Sequence, residues 1–121
     1  MAWFAAHAII YFKIKDQLQD VYTVWENVYL IEAGDRDEAF AKARVLGAQE
    51  EGDDDNSLTV DDLRATRVFA GIRKLIAVSH AEQDGHLRSG DELTYSEFQV
   101  SDEASIRRLA SDNEVVIKYV E

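Results

Sequence analysis

The first fifteen residues alternate with a period of two, and this pattern constrains the fold more than any other feature of the chain. The even-numbered positions from Phe4 to Ile14 are all apolar, whereas the odd-numbered positions include His7, Lys13 and Lys15. Successive side chains of a β-strand point to opposite faces of the sheet. The alternation therefore predicts a strand that packs one face on a hydrophobic core.

The same segment does not have the pattern of a targeting signal. Residues 2–12 are apolar apart from His7, but a signal peptide also needs a basic region before the apolar stretch and a small-residue cleavage site after it. The stretch is also much shorter than the roughly 20 residues that a membrane-spanning helix needs. We therefore expect no membrane association and a cytoplasmic location.

Turn and cap signals divide the rest of the chain. A second strand over residues 21–33 follows a short polar connection and should pair with the first as an antiparallel hairpin. Asp35, three residues before Glu38, forms a capping box that predicts a helix over residues 36–51. Later signals predict strands over residues 67–78, 92–100 and 115–120, and a short helix capped by Ser101 or Asp102.

These elements follow one another in the order ββαββαβ. Gly71 interrupts the third strand and predicts a β-bulge. Thr59, three residues before Asp62, repeats the capping pattern and predicts one helical turn before that strand. The fold class is therefore α+β, with a mostly antiparallel sheet of about five strands and two helices on one face. We expect residues 1–121 to form a single domain.

Large aromatic side chains indicate how the second face of this sheet is used. If the strands keep their phase, Trp3, Tyr11, Trp25 and Tyr29 share the face away from the helices. Monomeric proteins rarely expose apolar patches larger than a few hundred Å². Either the sheet curls over these rings or a second subunit covers them, and the pattern favours a homodimer.

The charge and the lack of cysteine exclude several classes of protein. The chain has 24 acidic and 13 basic residues, a net charge of −11, and no cysteine. Nucleic-acid binding needs a basic surface that displaces counterions from phosphates, so no nucleic-acid partner is expected. Disulfides, thiolate zinc sites and cysteine nucleophiles are excluded outright. An acidic surface favours association with a basic protein instead.

Two sets of side chains contain residue types that bind metals, but their spacing along the sequence matches no known metal-binding motif. Asp53 and Asp55 begin like an EF-hand, but the positions that need glycine and glutamate hold Leu58 and Arg64. The acidic run is therefore interpreted as a solvated loop. A weaker candidate consists of the imidazoles and carboxylate of His80, Asp84 and His86. These could hold zinc or nickel, but their spacing fits a polar turn better, so no metal or cofactor is predicted.

Charged residues inside apolar strands form the most informative candidate site. Glu26 lies among Trp25 and Val28, and Arg73 and Lys74 interrupt the third strand. Charges in such positions cost free energy unless they are paired or functional. One interpretation is structural: Glu26 forms a cross-strand ion pair with Arg73 or Lys74, or these side chains point to solvent from a half-exposed face. The other is a small binding site formed by Trp25, Glu26, Arg73, Lys74 and Tyr95.

Short motifs along the chain form a pattern that can be compared with known families. They are Trp3-Phe4, Val24-Trp25-Glu26-Asn27-Val28, Leu30-Ile31-Glu32-Ala33, Asp37-Glu38-Ala39, Ala43, Gly47, Phe69-Ala70-Gly71-Ile72-Arg73-Lys74-Leu75, Gly90, Glu92 and Tyr95. With these motifs the chain resembles a family of small bacterial proteins called domain of unknown function 4288, and the likeness extends over nearly its whole length. The resemblance implies a compact single-domain protein and brings no catalytic residues with it.

Three classes of function remain open. The chain lacks a Gly-x-Ser-x-Gly elbow and a phosphate-binding glycine-rich loop, so a non-catalytic interaction module that associates with itself fits best. A second possibility is an immunity or inhibitor protein, whose acidic surface would bind a basic toxin or nuclease. A third is a small-molecule-binding domain or an enzyme of undiscovered activity. No catalytic residue is assigned.

Overall fold

A computed structural model describes residues 1–78 and 86–120 of the chain. These residues form six strands and two helices, which we number in chain order. The elements are β1 (Ala2–Ile14), β2 (Val24–Ala33), α1 (Arg36–Gln49), β3 (Thr59–Val60), β4 (Leu63–Ala77), β5 (Phe98–Gln99), α2 (Glu103–Ala110) and β6 (Lys118–Tyr119).

The strands form two antiparallel sheets. The larger sheet has the order β2-β1-β4-β3, and the smaller one pairs β5 with β6. The N-terminal strand β1 therefore lies inside the larger sheet, where both of its edges are hydrogen-bonded. The alternation in the sequence agrees with this position, because the even-numbered side chains Phe4 and Ala6 belong to the core beneath α1.

Small side chains allow α1 to approach the sheet closely. Ala39 and Ala43 of the helix are fully buried against Phe4 and Leu75. Gly47 continues this stripe one turn later, and an added Cβ there would lie 2.4 Å from Cε1 of the Phe69 ring. The helix can therefore lie this close to β4 only because position 47 has no side chain.

The predicted capping box at the start of α1 is confirmed. The Asp35 carboxylate accepts a hydrogen bond from the Glu38 amide at 2.8 Å, and the Glu38 carboxylate accepts one from the Gly34 amide at 2.9 Å. The two side chains satisfy backbone donors that have no partner inside the helix. At α2 the cap is Asp102, which accepts from the Ser105 amide at 2.7 Å.

Two irregularities interrupt the pairing of β1 with β4. The register shifts between His7 and Ala8 and again between Ile9 and Ile10, so that Arg73 and Ala70 are extra residues on β4. Gly71 lies between them with a φ of +150°. The bulge predicted at this glycine is confirmed. One extra residue exchanges the two faces of β4, and the second extra residue exchanges them back. Side chains of β4 on either side of the two insertions therefore point to the core with the same alternation.

The α+β class with two helices is confirmed, but the arrangement of the strands differs from the prediction. A single sheet of about five strands was predicted, whereas the described residues form a four-stranded and a two-stranded sheet. The strand predicted over residues 92–100 is shorter and consists of β5 alone. Only α1 packs against the larger sheet, whereas α2 has no buried residue. The two helices therefore do not share one face of the sheet in the part of the chain that is described.

The helical turn predicted at Thr59 is wrong. The segment forms the β3–β4 hairpin, whose connection is Asp61 and Asp62, with φ angles of +52° and +64°. Positive φ at both central residues is the requirement of a tight hairpin turn, and aspartate tolerates it better than most residues. The carboxylates at these positions therefore serve a turn rather than a helix cap.

Basic side chains hold the acidic loop between α1 and β3 against the sheet. Lys15 Nζ lies 2.5 Å from Asp53 Oδ2, and Arg67 donates to both carboxylate oxygens of Asp54. Each cation pulls the pKa of its partner aspartate below the ordinary value through a hydrogen bond. The loop predicted as simply solvated is thus fastened at its first two aspartates.

Candidate functional site

Side chains from three adjacent strands meet on the face of the sheet opposite α1. His7 is on the central strand β1, and Glu26 lies on β2 opposite Ile9, in the same phase as His7. Arg73 is the extra residue of the first bulge on β4. The bulge lets an additional side chain of β4 reach this face, where it meets Glu26 across β1.

The contacts within this group are short and directional. Arg73 Nε donates to Glu26 Oε1 at 2.9 Å, and Arg73 Nη2 donates to Glu26 Oε2 at 3.0 Å. His7 Nδ1 lies 2.5 Å from Glu26 Oε2. The His7 residue is 2% exposed, and the Arg73 and Glu26 side chains are 13% and 24% exposed. A two-pronged guanidinium–carboxylate contact is among the stronger ionic interactions in proteins.

The surroundings of Glu26 favour its ionised form. Partial burial alone would raise the pKa of the carboxyl group, because it removes water from the charge. Hydrogen bonds from Arg73 and His7, together with the positive charge of Arg73, outweigh this effect and lower the pKa from its ordinary value of 4.5. Glu26 is therefore a carboxylate at neutral pH, and it can only accept hydrogen bonds.

The segment that follows residue 86 brings more side chains to this face. His7 Nε2 is hydrogen-bonded to Thr94 Oγ1. Lys74 Nζ donates to the Tyr95 carbonyl and lies 5.2 Å from the centre of the Tyr95 ring. We call His7, Glu26, Arg73 and Thr94 the polar network.

The structure brings together some of the predicted site residues and separates others. The ion pair predicted between Glu26 and Arg73 is confirmed, and Lys74 and Tyr95 contact each other beside it. Trp25 lies on the other face, where its ring packs edge-on against Phe12 with centroids 4.9 Å apart. No pocket formed by all of the predicted site residues is therefore present in the described part of the chain.

The four aromatic residues of the predicted dimer face do not share a face. In the pairing of β1 with β2, Trp25 is opposite Ile10 and Tyr29 is opposite Ala6. Both rings therefore lie on the α1 side, and Tyr29 packs against the core there. Trp3 and Tyr11 have the odd phase of β1 and lie on the opposite side. The phase assigned to β2 in the prediction was wrong by one residue.

The weaker metal candidate is tested only in part. His80 and Asp84 lie outside the described residues, and His86 is exposed. Among residues 1–78 and 86–120, no group of three histidine, aspartate or glutamate side chains is arranged to hold a metal ion.

The outer edge of β2 is a second candidate site. The Thr23 carbonyl accepts from the Phe12 amide at 3.1 Å and therefore points toward β1. Backbone groups alternate in direction along a strand, so those of the even-numbered residues of β2 point outward. Lys42 Nζ confirms this by donating to the Glu32 carbonyl at 2.8 Å from the outer side. No described strand pairs with this edge.

Apolar side chains accompany this unpaired edge. Val24, Trp25, Val28 and Leu30 are each between 40% and 53% exposed. A shallow groove of about 430 Å³ lies between the C-terminal end of β2 and α1. Its lining consists of Leu30, Ile31, Glu32, Lys42, Val45 and Leu46. We call the outer backbone of β2 from Val24 to Leu30, with these exposed side chains, the β2 edge.

Comparison with known proteins gives one match. A family model described as a domain of unknown function (DUF4288) matches residues 3–94. The matched range includes all four residues of the polar network and the whole β2 edge, whereas β5, α2 and β6 lie beyond it. No curated protein and no solved structure matches the chain. In the described residues, no helix is long and apolar enough to cross a membrane.

Proposed function

We propose that this chain, which belongs to the domain of unknown function 4288 family, is an interaction module that associates with itself through the β2 edge. The single observation that supports the proposal is that this long edge strand has exposed apolar side chains and outward backbone groups that no strand of residues 1–78 and 86–120 pairs with. Such edges are templates for pairing with another chain, and stable monomers usually protect them.

A second copy of the chain fits the edge by symmetry. Two β2 strands related by a two-fold axis run antiparallel, so the outward amides and carbonyls of one copy face those of the other. The outward backbone groups of Val24, Glu26, Val28 and Leu30 supply the hydrogen bonds. The two four-stranded sheets then become one continuous sheet, and neither copy keeps an open β2 edge.

The groove beside the edge would give this pairing specificity. Alternate side chains of an added strand point to the α1 side, where Val45 and Leu46 line the groove. Strand addition beside a helix is a recurring way in which domains bind extended segments, with backbone hydrogen bonds for affinity and pockets for selectivity. In the proposed dimer, Trp25 of each copy is covered on this side.

A basic protein is the second candidate partner, which would make the chain an immunity or inhibitor protein. The observation in its favour is the net charge of −11 and the exposed carboxylates of Asp55, Asp61 and Asp62 beside the sheet. Complementary charge accelerates association and selects partners. We propose a cytoplasmic location, because a chain without cysteine needs no oxidising compartment for disulfide formation.

Light scattering coupled to gel filtration tests the self-association. At micromolar concentration the wild-type chain should have twice its 13.7 kDa mass. Val28→Lys places a charge on the β2 edge and should give a monomer, because lysine on an edge strand disfavours pairing. Val116→Lys makes the same change at an exposed residue away from the sheet, and it should remain a dimer. A wild-type mass of 13.7 kDa up to about 100 µM, far above the µM range in which specific complexes form, would refute the proposal.

A further inference from the structure

Thr94, His7 and Glu26 form a line of three hydrogen-bonded side chains. Thr94 Oγ1 contacts one ring nitrogen of His7, Nε2, and the other ring nitrogen, Nδ1, lies 2.5 Å from Glu26 Oε2. A hydroxyl bonded to an imidazole, which is in turn held by a carboxylate, is the arrangement that activates a hydroxyl nucleophile. These three residues come from the segment after residue 86, from β1 and from β2.

The hydrogen bonds determine where the protons lie. Arg73 donates two N–H groups to the Glu26 carboxylate, which therefore remains ionised and can only accept. The proton between His7 and Glu26 must then be on Nδ1. In the neutral imidazole this leaves the lone pair on Nε2, directed at Thr94. The Thr94 hydroxyl thus donates to a base that is ready to take its proton.

We propose that Thr94 is a nucleophile for acyl transfer, with His7 as its general base and Glu26 as the residue that positions His7. The class of substrate is a small activated ester. This activity goes beyond the proposed self-association and does not depend on it, because pairing at the β2 edge uses the backbone of Glu26, whereas the polar network uses its side chain.

The proposed step balances as follows. Thr94 Oγ forms a bond to the ester carbonyl carbon while its proton moves to His7 Nε2. The tetrahedral intermediate then breaks its bond to the alcohol oxygen, and the alcohol leaves with the proton from His7. Thr94 is left as an ester, which water hydrolyses by the same route to the free acid.

The surroundings suit this chemistry at two points. His7 is almost completely shielded from water, which strengthens its hydrogen bonds to Glu26 and Thr94. Lys74 is opposite His7 in the β1–β4 register, and its ammonium group is held at the carbonyl of Tyr95, the residue next to Thr94. A cation in this place would stabilise the negative charge that develops on the carbonyl oxygen of the ester.

Acetylation by p-nitrophenyl acetate tests the assignment. The full chain should release nitrophenolate with one equivalent of acetyl group on Thr94, located by peptide mass spectrometry. Thr94→Val removes the nucleophile, so nitrophenolate release should fall by at least about 100-fold, and Thr94→Ser should restore labelling at position 94. Thr66→Val, a half-buried threonine on β4, should react like the wild type. Wild-type labelling at position 94 no greater than the background in Thr94→Val would overturn the proposal.

A test of Glu26 must distinguish the positioning of His7 from a purely structural contribution to the fold. In Glu26→Gln the carboxylate no longer stabilises a protonated His7, so the midpoint of the pH–rate profile of acetylation should move to lower pH. If this variant is folded by circular dichroism and its profile is that of the wild type, Glu26 does not act through His7 and the proposed relay is wrong. Should Glu26→Gln fail to fold, the labelling of Thr94→Val and Thr94→Ser still tests the assignment of the nucleophile.

Discussion

Glu26 connects the three long strands of the larger sheet at one point. Its carboxylate accepts hydrogen bonds from Arg73 on β4 and contacts His7 on β1. A shift of β2 by one residue would move Glu26 to the α1 face and leave the Arg73 charge without this partner. We infer that the contact selects the register of the sheet as well as contributing to its stability.

The first prediction concerns the pH dependence of this contribution. Because the folded-state pKa of Glu26 lies below 4.5, its stabilising effect is fully present above pH 4.5 and is lost as the pH falls through the lowered value. At pH 7, Glu26→Gln should reduce the free energy of unfolding by about 3 kcal/mol, the lower end for a buried pair broken from one side. The difference should shrink toward pH 3, measured by urea denaturation.

A double-mutant cycle supplies the control for this prediction. Coupling between Glu26→Gln and Arg73→Met should exceed about 1 kcal/mol, because exposed ion pairs seldom reach that value. Lys74→Met serves as the matched variant, since the Lys74 ammonium contacts Tyr95 and not Glu26. A stability difference between wild type and Glu26→Gln that is the same at pH 7 and pH 3 contradicts the assignment.

The residues of the polar network differ in how far the sequence reveals them. Glu26 and Arg73 could be predicted to pair, because charges inside apolar strands need partners. His7 could not be assigned to the network, since a lone histidine on a strand carries no pattern. Thr94 could not have been found, because it lies 87 positions from His7 and threonine is an ordinary residue in any segment.

The phase of an element is harder to predict than its existence. The helix α1 and the strand β1 were predicted because one has a capping box and the other has strict alternation. β2 has apolar side chains on both faces, with Trp25 and Tyr29 on one side and Val28 and Leu30 on the other. Its sequence therefore fits either phase. The contact of Glu26 with Arg73 favours one phase, but it depends on a bulge in β4 that the sequence of β2 does not show.

The second prediction concerns Gly47 in α1. Replacing glycine by alanine inside a helix normally stabilises it by about 1 kcal/mol. Here the added Cβ would lie 2.4 Å from the Phe69 ring, and forcing extra volume into a packed contact costs roughly 1–3 kcal/mol. Gly47→Ala should therefore lower the free energy of unfolding by about 1 kcal/mol, measured by thermal and chemical denaturation.

The Phe69 ring is the control in this experiment. In a Phe69→Leu background the contact with position 47 is relieved, so Gly47→Ala should become neutral or stabilising. Ala48→Gly, at the exposed neighbouring position, should lose about 1 kcal/mol through helix propensity alone. If Gly47→Ala stabilises the wild-type protein, the close approach of α1 to β4 is not as described.

At the scale of the whole molecule, charge opposes self-association. Each copy has a net charge of −11, and two such copies repel each other at low ionic strength, where the Debye length is about 30 Å. Pairing at the β2 edge would rest mainly on apolar contacts and backbone hydrogen bonds. Salt does not weaken these interactions by screening. Binding of a basic partner would show the opposite dependence, because salt screens attraction.

The third prediction follows from this balance. The dissociation constant of the dimer should fall about tenfold between 10 mM and 500 mM NaCl, as the Debye length shrinks from about 30 Å to a few Å. Sedimentation velocity over a range of concentrations measures it. Val28→Lys should be monomeric at both salt concentrations. A dimer that dissociates on addition of salt would point instead to an ionic interface.

The division of the strands into two sheets could not be predicted from the sequence, because it depends on contacts between distant residues. The segment over residues 92–100 has enough alternation to be predicted as a strand, but Thr94 and Tyr95 use their side chains and backbone to contact His7 and Lys74. Contacts between distant parts of the chain override local propensity here. Only Phe98 and Gln99 remain to pair with β6.

The central position of β1 has a consequence for synthesis on the ribosome. The apolar strand Ala2–Ile14 is made before both of its neighbours, and the second of them ends at Ala77. At roughly 5–20 residues per second, the 44 residues between Ala33 and Ala77 take roughly 2–9 s. During that time the nascent chain has only a two-stranded hairpin, which is marginally stable in water. Ribosome-associated chaperones should therefore contact β1 until β4 has emerged, and contact would end as the sheet closes.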